Sequence, residues 1–243
     1  MPVTKINLEN FTAFKDLEVE FSPGINALVG ANGTGKTHLM KACYAACDAT
    51  KMHDDFASKL VKVFLPPGRF SGRLRRRGGE PEWKEGHVEV ETESCKFYVD
   101  LDSEDGTVGT LVPDPTSTLP IDSVYVPAKE MLANAPGFLA LYGLRELHFD
   151  EVYQDILLRA YLPALRQPVD DAHRQMLQII ENIIGGKVTV SGEEFFLSNE
   201  RGDLEFTLLA EGFRKLGLLW LLIRNGTLPV SYTHLTLPTK RIV

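Results

Sequence analysis

Eight residues, Gly30 to Thr37, have the types and spacing of a phosphate-binding loop. They fit the pattern G-x-x-x-x-G-K-[ST] at every fixed position. Glycines let the backbone wrap closely around an anion, and the N–H groups that follow then face its oxygens. Lys36 would neutralise the β- and γ-phosphates, and the Thr37 hydroxyl would ligate Mg²⁺. The residues that we expect to bind a nucleoside triphosphate, ATP with magnesium, are Gly30, Asn32, Gly33, Thr34, Gly35, Lys36, Thr37 and His38.

The surroundings of this loop decide between a binding site and a glycine-rich turn with an incidental Lys-Thr. Residues 25–29 are mostly apolar and predict a short strand that runs into the loop. Residues 38–50 have helical periodicity. A strand before the glycines and a helix after them is the context that phosphate binding requires, so the sequence favours the binding site.

Further strands are predicted in the first half of the chain. Residues 4–10 and 17–21 alternate between polar and apolar types, which indicates strands with one buried face. Residues 87–91 and 96–100 predict a hairpin that turns near Glu93-Ser94. Residues 124–126 predict a buried strand that ends at Pro127. Residues 102–120, rich in Pro, Thr, Ser and Asp, predict a linker.

The second half of the chain is mainly helical in pattern. Residues 139–184 have helical periodicity with breaks at Pro163 and Pro168, and Gly185-Gly186 closes this region. A hairpin follows over 187–190 and 194–197, with a further short strand at 204–206. Residues 208–223 predict a strongly apolar helix.

Composition and charge narrow the class of protein. The 243 residues are 44% hydrophobic with a net charge of −7, which is ordinary for a globular protein and argues weakly against a surface given over to nucleic acid. We expect a cytoplasmic protein, because no signal peptide or membrane-spanning run is present. Cys43 and Cys47 would share one helix face, where small buried residues are favoured over a zinc site.

The wider pattern around the loop resembles the start of ABC-type ATPase heads. It consists of Ile6-x-Leu8-x-Asn10-Phe11-x-x-Phe14, an amphipathic strand, and then Gly24-Ile25-Asn26-x-Leu28-Val29 before the loop. It is most similar to the SMC/RecF/OLD-like branch of bacterial AAA-family ATPases. The resemblance implies an α/β P-loop NTPase fold, an ABC-ATPase-like head with an antiparallel β lobe and a helical insertion. It also implies ATP hydrolysis by a homodimer that closes around nucleotide.

A second segment, residues 209–216, resembles the signature that opens a helix in these heads. In the family, the signature of one protomer touches the γ-phosphate held by the other. The resemblance therefore implies that Ala210, Glu211 and Gly212 act in trans, with Ala210 standing where many relatives have a serine. The alternative is an ordinary buried helix with polar residues in its first turn.

Two other family elements are incomplete or missing. Residues 124–130 resemble the strand that leads to the Q-loop, but Lys129 and Glu130 stand where a glutamine is expected, and solvated charges at a strand end are an equal alternative. A Walker B strand should follow the signature helix, yet no Asp or Glu occurs after Glu211. Asp150-Glu151 follows Phe149 within a helical pattern, and we interpret it as surface charge. The catalytic residues are therefore unassigned.

The C-terminal segment of the chain does not look like part of the natural protein sequence. Residues 230–243 resemble a translated sequencing-adapter read-through, so we expect the natural sequence to have been cut near Leu228-Pro229. The alternative is a polar C-terminal extension. On the first interpretation residues 1–229 form an incomplete head. We expect a β-rich nucleotide-binding lobe over 1–127, a helical lobe over 128–186, and the hairpin with the signature helix over 187–229.

A basic loop with five arginines falls between residues 69 and 77. Arg73, Arg75, Arg76 and Arg77 could contact a DNA backbone, although a run of charge is more often a solvated surface turn. Three functions follow from these patterns. They are an ATPase head, a non-hydrolysing nucleotide-dependent switch or DNA-associated scaffold in defence or DNA maintenance, and a small-molecule kinase. The basic loop fits a kinase lid poorly because it lies too early in the chain.

Overall fold

The computed structural model describes residues 3–51, 55–78, 85–93, 95–101, 120–145, 147–166 and 170–228. Four features predicted from the sequence lie outside these residues. They are the linker over 102–120 except for its last residue, the hairpin position Ser94, the break at Pro168 and the adapter-like tail over 230–243. The described chain forms two compact units with a boundary between Tyr125 and Val126. We call them the N-terminal unit and the C-terminal unit. The finer division into lobes made from the sequence stays a prediction.

A four-stranded antiparallel sheet organises the N-terminal unit. Its strands, in the spatial order β2-β1-β3-β4, are β1 (Val3–Phe11), β2 (Phe14–Glu20), β3 (Gly86–Thr92) and β4 (Lys96–Leu101). These strands confirm the two N-terminal strands and the hairpin that alternation predicted.

One face of this sheet forms the core with two helices, α1 (Lys36–Ala49) and α2 (Phe56–Phe64). Ile6 and Leu8 from β1 and Val88 and Val90 from β3 have no exposed surface. Full burial of each such side chain contributes roughly 1.5–3 kcal/mol, so this face anchors the helix that follows the phosphate loop.

The other face of the sheet is polar and strongly acidic. Strand register aligns its residues in rows, for example Glu18, Asn7, Glu89 and Tyr98 across the four strands. The acidic residues of this face are Glu9, Asp16, Glu18, Glu20, Glu89, Glu91 and Asp100. The basic residues are Lys5, Lys96 and His87, each within ion-pair distance of one of these acids. This face therefore carries net negative charge.

Two predicted strands of the N-terminal unit are wrong. In the described residues, the segments 25–29 and 124–126 belong to no strand, and Leu28 alone makes an isolated bridge. Ile25 is 62% exposed and Val29 is 75% exposed. An apolar run becomes a strand only where a neighbour satisfies its backbone groups, and a short apolar pattern cannot supply that neighbour.

The C-terminal unit begins with three helices, α3 (Phe138–Arg145), α4 (Glu151–Ala160) and α5 (Asp171–Ile184). They confirm the helical periodicity over 139–184. Gly185 ends α5 in the left-handed region at φ 77°, as the glycine pair predicted. None of the helices in the described residues is long and apolar enough to cross a membrane.

A three-stranded antiparallel sheet and a last helix complete this unit. The strands are β5 (Lys187–Ser191), β6 (Glu194–Asn199) and β7 (Gly202–Glu205), and α6 spans Glu211–Arg224. The predicted apolar helix thus starts three residues later than expected, because Leu209 and Ala210 are extended, at ψ 148° and 144°. A 3₁₀ turn over Phe206–Leu208 occupies the earlier positions.

Candidate nucleotide-binding site

Two glycines shape the predicted phosphate loop. Gly33 and Gly35 have φ values of 84° and 92°, a region that other residues enter only at a cost. The hydroxyl of Thr34 donates to the carbonyl of Ala31 at 2.9 Å, which ties the loop across its own turn. The backbone conformation of the loop thus depends on glycine at positions 33 and 35 and on the hydrogen bond of Thr34.

Helix α1 starts at the end of this loop, with Gly35 as its N-cap residue. Its first intrahelical bond runs from the Leu39 N–H to the Gly35 carbonyl at 2.9 Å, so the N–H groups of Lys36, Thr37 and His38 have no acceptor within the helix. In the described structure no side chain caps this terminus, and its first turn holds no acidic residue. Unpaired donors together with the positive end of the helix dipole favour an anion here.

The side chain of Lys36 lies across the loop. Its Nζ donates to the carbonyls of Gly30 and Ala31 at 2.7 and 2.6 Å. The ammonium is thereby held at the loop mouth, where a phosphate oxygen would be a stronger, charged acceptor. The Thr37 side chain is exposed and accessible to an ion.

The turn between β1 and β2 forms a wall beside the loop, and sequence reasoning assigned it no role. A Cβ placed on Gly35 would lie 2.5 Å from the ring of Phe14 and 3.1 Å from Cβ of Ala13. Thr12, in the same turn, has φ 48°. The signal that could have found this wall was present in the Asn10-Phe11-x-x-Phe14 pattern, but pattern alone does not say which residues touch.

His38 is the last residue of the predicted nucleotide-binding set, and its ring packs away from the loop. It meets Phe64 of α2 edge-on, with the ring centroids 5.5 Å apart. Burial, with a smaller contribution from Lys41, lowers the pKa of His38 below its usual value of 6.5. The structure thus supports its backbone N–H, rather than its imidazole, as the group that could face a phosphate.

The signature-like residues lie at the start of α6. Ala210 is the N-cap residue, and the N–H groups of Phe213 and Arg214 bond its carbonyl at 3.0 and 3.1 Å. Gly212 is exposed, and a Cβ placed on it would meet no heavy atom of the described chain within 4 Å. Backbone can therefore approach closely at this helix terminus.

The two charged residues at the end of the Q-loop-like segment, Lys129 and Glu130, differ in exposure. Lys129 is exposed, whereas Glu130 is only 5% exposed and lies within ion-pair distance of Arg214 in α6. Solvated charge at a strand end, which the sequence left open, is therefore wrong for Glu130. Asp150 is the N-cap residue of α4 and Glu151 is the first residue of that helix, and Phe149 packs against Phe138 and Tyr153.

The basic loop is attached to the turn between β1 and β2. The Thr12 N–H donates to the Leu74 carbonyl and the Arg76 N–H to the Asn10 carbonyl, both at 2.7 Å. Arg73, Arg76 and Arg77 are exposed, and Arg75 is half-buried with its Nε bonded to the Gly72 carbonyl at 3.2 Å. The loop thus presents several arginines from a backbone that is fixed to the sheet.

The cysteines of α1 lie in the core region. Burial raises the pKa of Cys43 to about 12 and that of Cys47 to about 11, so both are protonated thiols at neutral pH. Among the described residues no cluster of three or more metal-ligating side chains occurs.

Comparison with known proteins agrees with the fold and the loop. Residues 5–107 match the AAA domain family. The chain is similar to three bacterial proteins named DNA replication and repair protein RecF. The one from Mannheimia succiniciproducens is 25% identical over 138 residues, or 57% of this chain and 37% of that protein. The one from Bacillus mycoides is 34% identical over 77 residues, or 32% and 20%. The one from Cytophaga hutchinsonii is 47% identical over 47 residues, or 19% and 12%.

The mixed α/β fold and the match over residues 5–107 are consistent with an α/β P-loop NTPase, as the fold-class prediction had it. These similarities support an ABC-type, SMC/RecF-like ATPase head of the AAA family. The predicted resemblance is thereby confirmed. The chain spans well under half the length of the curated relatives that it matches.

Proposed function

We propose that the chain binds ATP with Mg²⁺ through residues 30–38. The observation that carries this proposal is the start of α1, where three backbone N–H groups have no helical acceptor and the ammonium of Lys36 bonds two carbonyls of the loop. A triphosphate would replace the carbonyls of Gly30 and Ala31 as the acceptor of Lys36. Its negative charge would match both the ammonium and the helix dipole.

Magnesium fits the same site. The exposed hydroxyl of Thr37 follows Lys36 directly, so it would ligate the ion while the backbone holds the phosphates. The bound ion would neutralise phosphate charge, and the chain's own residues would orient the triphosphate along the helix terminus.

For the whole protein we propose ATP hydrolysis by a homodimer that closes around nucleotide. Support comes from the exposed terminus of α6, where Ala210, Glu211 and Gly212 present backbone donors with open space at Gly212. The catalytic carboxylates are unassigned in this chain. A nucleotide-dependent switch that binds ATP without hydrolysing it is the alternative, and the absence of any acidic residue after Glu211 favours it for residues 1–243.

The experiment is a titration of the purified chain with a fluorescent ATP analogue in the presence of Mg²⁺. Replacement of Lys36 by Ala should weaken binding by about tenfold or more, since a charge-assisted hydrogen bond contributes about 1.5–3 kcal/mol. Lys41→Ala is the matched control, because Lys41 lies in the same helix but its Nζ bonds the Val63 carbonyl at 3.0 Å. Equal affinity of the parent and Lys36→Ala would reject the proposal.

Hydrolysis is measured separately as steady-state phosphate release. We expect little or no turnover from residues 1–243, because no Asp or Glu follows Glu211 in their sequence. Robust release that Lys36→Ala abolishes would show that this expectation is wrong and that the carboxylates lie elsewhere in the chain.

A second proposal is that the basic loop contacts a nucleic-acid backbone, in keeping with a role in DNA maintenance like that which the relatives' name states. The loop offers Arg73, Arg76 and Arg77 to solvent, with Arg75 bonded inward as an anchor. The acidic face of the sheet in the same unit would repel a polyanion, so electrostatics would direct it to this loop.

The test is binding of a DNA duplex at several salt concentrations. The triple variant Arg73→Ala/Arg76→Ala/Arg77→Ala should reduce the slope of log affinity against log salt by about 2 to 3. Alanine at the exposed residues Arg145, Arg174 and Arg201 removes the same charge from the C-terminal unit and should change the slope little. If the variant with alanine at Arg73, Arg76 and Arg77 binds the DNA duplex at low salt as well as the parent chain does, the basic loop is not the DNA contact.

A further inference from the structure

A buried carboxylate lies against the first turn of α6. The side chain of Glu130 is 1% exposed, and its Oε2 lies 3.1 Å from Nε of Arg214. Its Oε1 accepts a hydrogen bond from the backbone N–H of Leu132. The Arg214 side chain is 23% exposed, so water screens this pair only weakly.

Arg214 is an unusual residue for its position. It is the fourth residue of α6, where the positive end of the helix dipole disfavours a cation and favours an anion. Glu130 supplies a negative charge there from outside the helix. A single carboxylate thus compensates both the guanidinium and the helix terminus by charge, since Oε2 of Glu130 and Nε of Arg214 form an ion pair without a hydrogen bond between them.

Stability alone does not explain the pair. Burial raises the pKa of Glu130 above its usual value of 4.5 although Arg214 acts in the opposite direction, so burial costs more than the contacts return. Buried ion pairs of this kind are weak stabilisers, but in some proteins they fix the geometry of the elements that carry them.

A second ion pair on the same turn provides the contrast. Glu211 and Lys215 pair at 3.0 Å, but their side chains are about half exposed, and a pair of that kind constrains a helix little. Of the charge contacts described at the start of α6, the one with Glu130 is therefore the one that can hold it.

We propose that Glu130 is a positioning residue that fixes the N-terminal turn of α6 through Arg214 and thereby aims the backbone donors of Glu211 and Gly212. The functional consequence rests on the proposed function, in which this turn meets nucleotide held by a second copy of the chain. The structural consequence does not depend on it.

The first measurement is hydrogen–deuterium exchange of the Phe213 and Arg214 amides, which both bond the Ala210 carbonyl. Glu130→Gln keeps the shape of the side chain and the bond to Leu132, and removes the charge. We expect exchange at these two amides to become roughly five- to tenfold faster, with the amides of β6 unchanged. Lys215→Gln, which breaks the exposed pair, should leave them unchanged.

The second measurement is ATP-induced self-association of the same variants, beside affinity for the fluorescent ATP analogue. Glu130→Gln should weaken association while analogue affinity at the phosphate loop stays constant. Arg214→Lys keeps the positive charge without the planar guanidinium and should give an intermediate effect.

The outcomes separate the two proposals. Faster exchange at Phe213 and Arg214 without ATP-induced association in the parent chain supports the positioning role and rejects the role of the signature in trans. Unchanged exchange in Glu130→Gln overturns the positioning role. Exchange that rises uniformly through the C-terminal unit also overturns it, because Glu130 would then only stabilise the fold.

Discussion

The ring of Phe14 occupies the space into which a side chain on Gly35 would project, 2.5 Å from where its Cβ would stand. This contact joins the turn between β1 and β2 to the end of the phosphate loop. Glycine is thus required at position 35 for two reasons: its φ of 92° disfavours other residues, and the ring of Phe14 leaves no room for a Cβ.

Alanine at Gly35 should therefore destabilise the N-terminal unit more than alanine at Gly33. Gly33 has a similar φ of 84° but no described heavy atom within 4 Å of a Cβ. The backbone cost, about 1–3 kcal/mol, applies to both, and the clash applies to Gly35 alone. Urea unfolding measures the difference. Phe14→Ala should recover part of the loss in Gly35→Ala, and a lack of recovery would contradict the contact.

The buried ammonium of Lys59 should make Asp48 important for stability. Lys59 is 3% exposed and its Nζ lies 2.7 Å from Asp48. Asp48→Asn removes the charge of this carboxylate beside a buried ammonium and should cost up to about 3–5 kcal/mol at neutral pH. Lys51→Gln removes the more exposed partner of the same carboxylate and should cost much less. Thermal unfolding of both variants tests the ranking.

The contribution of Asp48 to the stability of the fold should also depend on pH. Burial opposes ionisation, but the hydrogen bond and charge of Lys59, and then those of Lys51, hold the pKa of Asp48 below its usual value of 3.8. A lowered native pKa stabilises the fold above 3.8, and this stabilisation is lost as pH falls through the native pKa. The gap in stability between the parent and Asp48→Asn should therefore narrow below about pH 4.

The thiols of Cys43 and Cys47 in α1 should react slowly with thiol reagents in the native protein, and their ionisation should lower the stability of the fold at high pH. Their native pKa values of about 12 for Cys43 and about 11 for Cys47 exceed the ordinary value of 9.0. The native chain thus holds these protons more tightly than the unfolded chain, so stability is full below pH 9 and falls as pH rises toward 11. A thiol reagent at pH 8 should label both cysteines slowly in native protein and rapidly in urea.

Two glycines of α6 should respond in opposite ways to alanine. At Gly217 a Cβ would lie 2.7 Å from the ring of Phe206, so Gly217→Ala should destabilise the C-terminal unit by about 1–3 kcal/mol. At Gly212 the space is open, so alanine should stabilise the helix by up to about 1 kcal/mol. If Gly212 meets nucleotide in trans, the more stable variant should nevertheless lose ATP-induced association. Retained association would count against the signature role.

The glycine loop before α1, the strands of the hairpins β3–β4 and β5–β6, and most of the helices could be predicted from the sequence. Each depends on local chemistry, namely glycine spacing, two-residue alternation or helical periodicity over a sufficient length. The helix that follows the loop is an example, since the periodicity predicts it over 38–50 and it spans Lys36–Ala49.

Only the tertiary structure decided where short apolar segments and isolated charges lie. Residues 25–29 look like a strand, but pairing depends on a neighbour distant in the chain. Glu130 and Arg214 are 84 positions apart, and Phe14 and Gly35 belong to different elements. Each pair is brought together by folding. Burial and contact depend on how helices and strands pack against each other, whereas the spacing of residues in the sequence determines only the geometry within a single helix or strand.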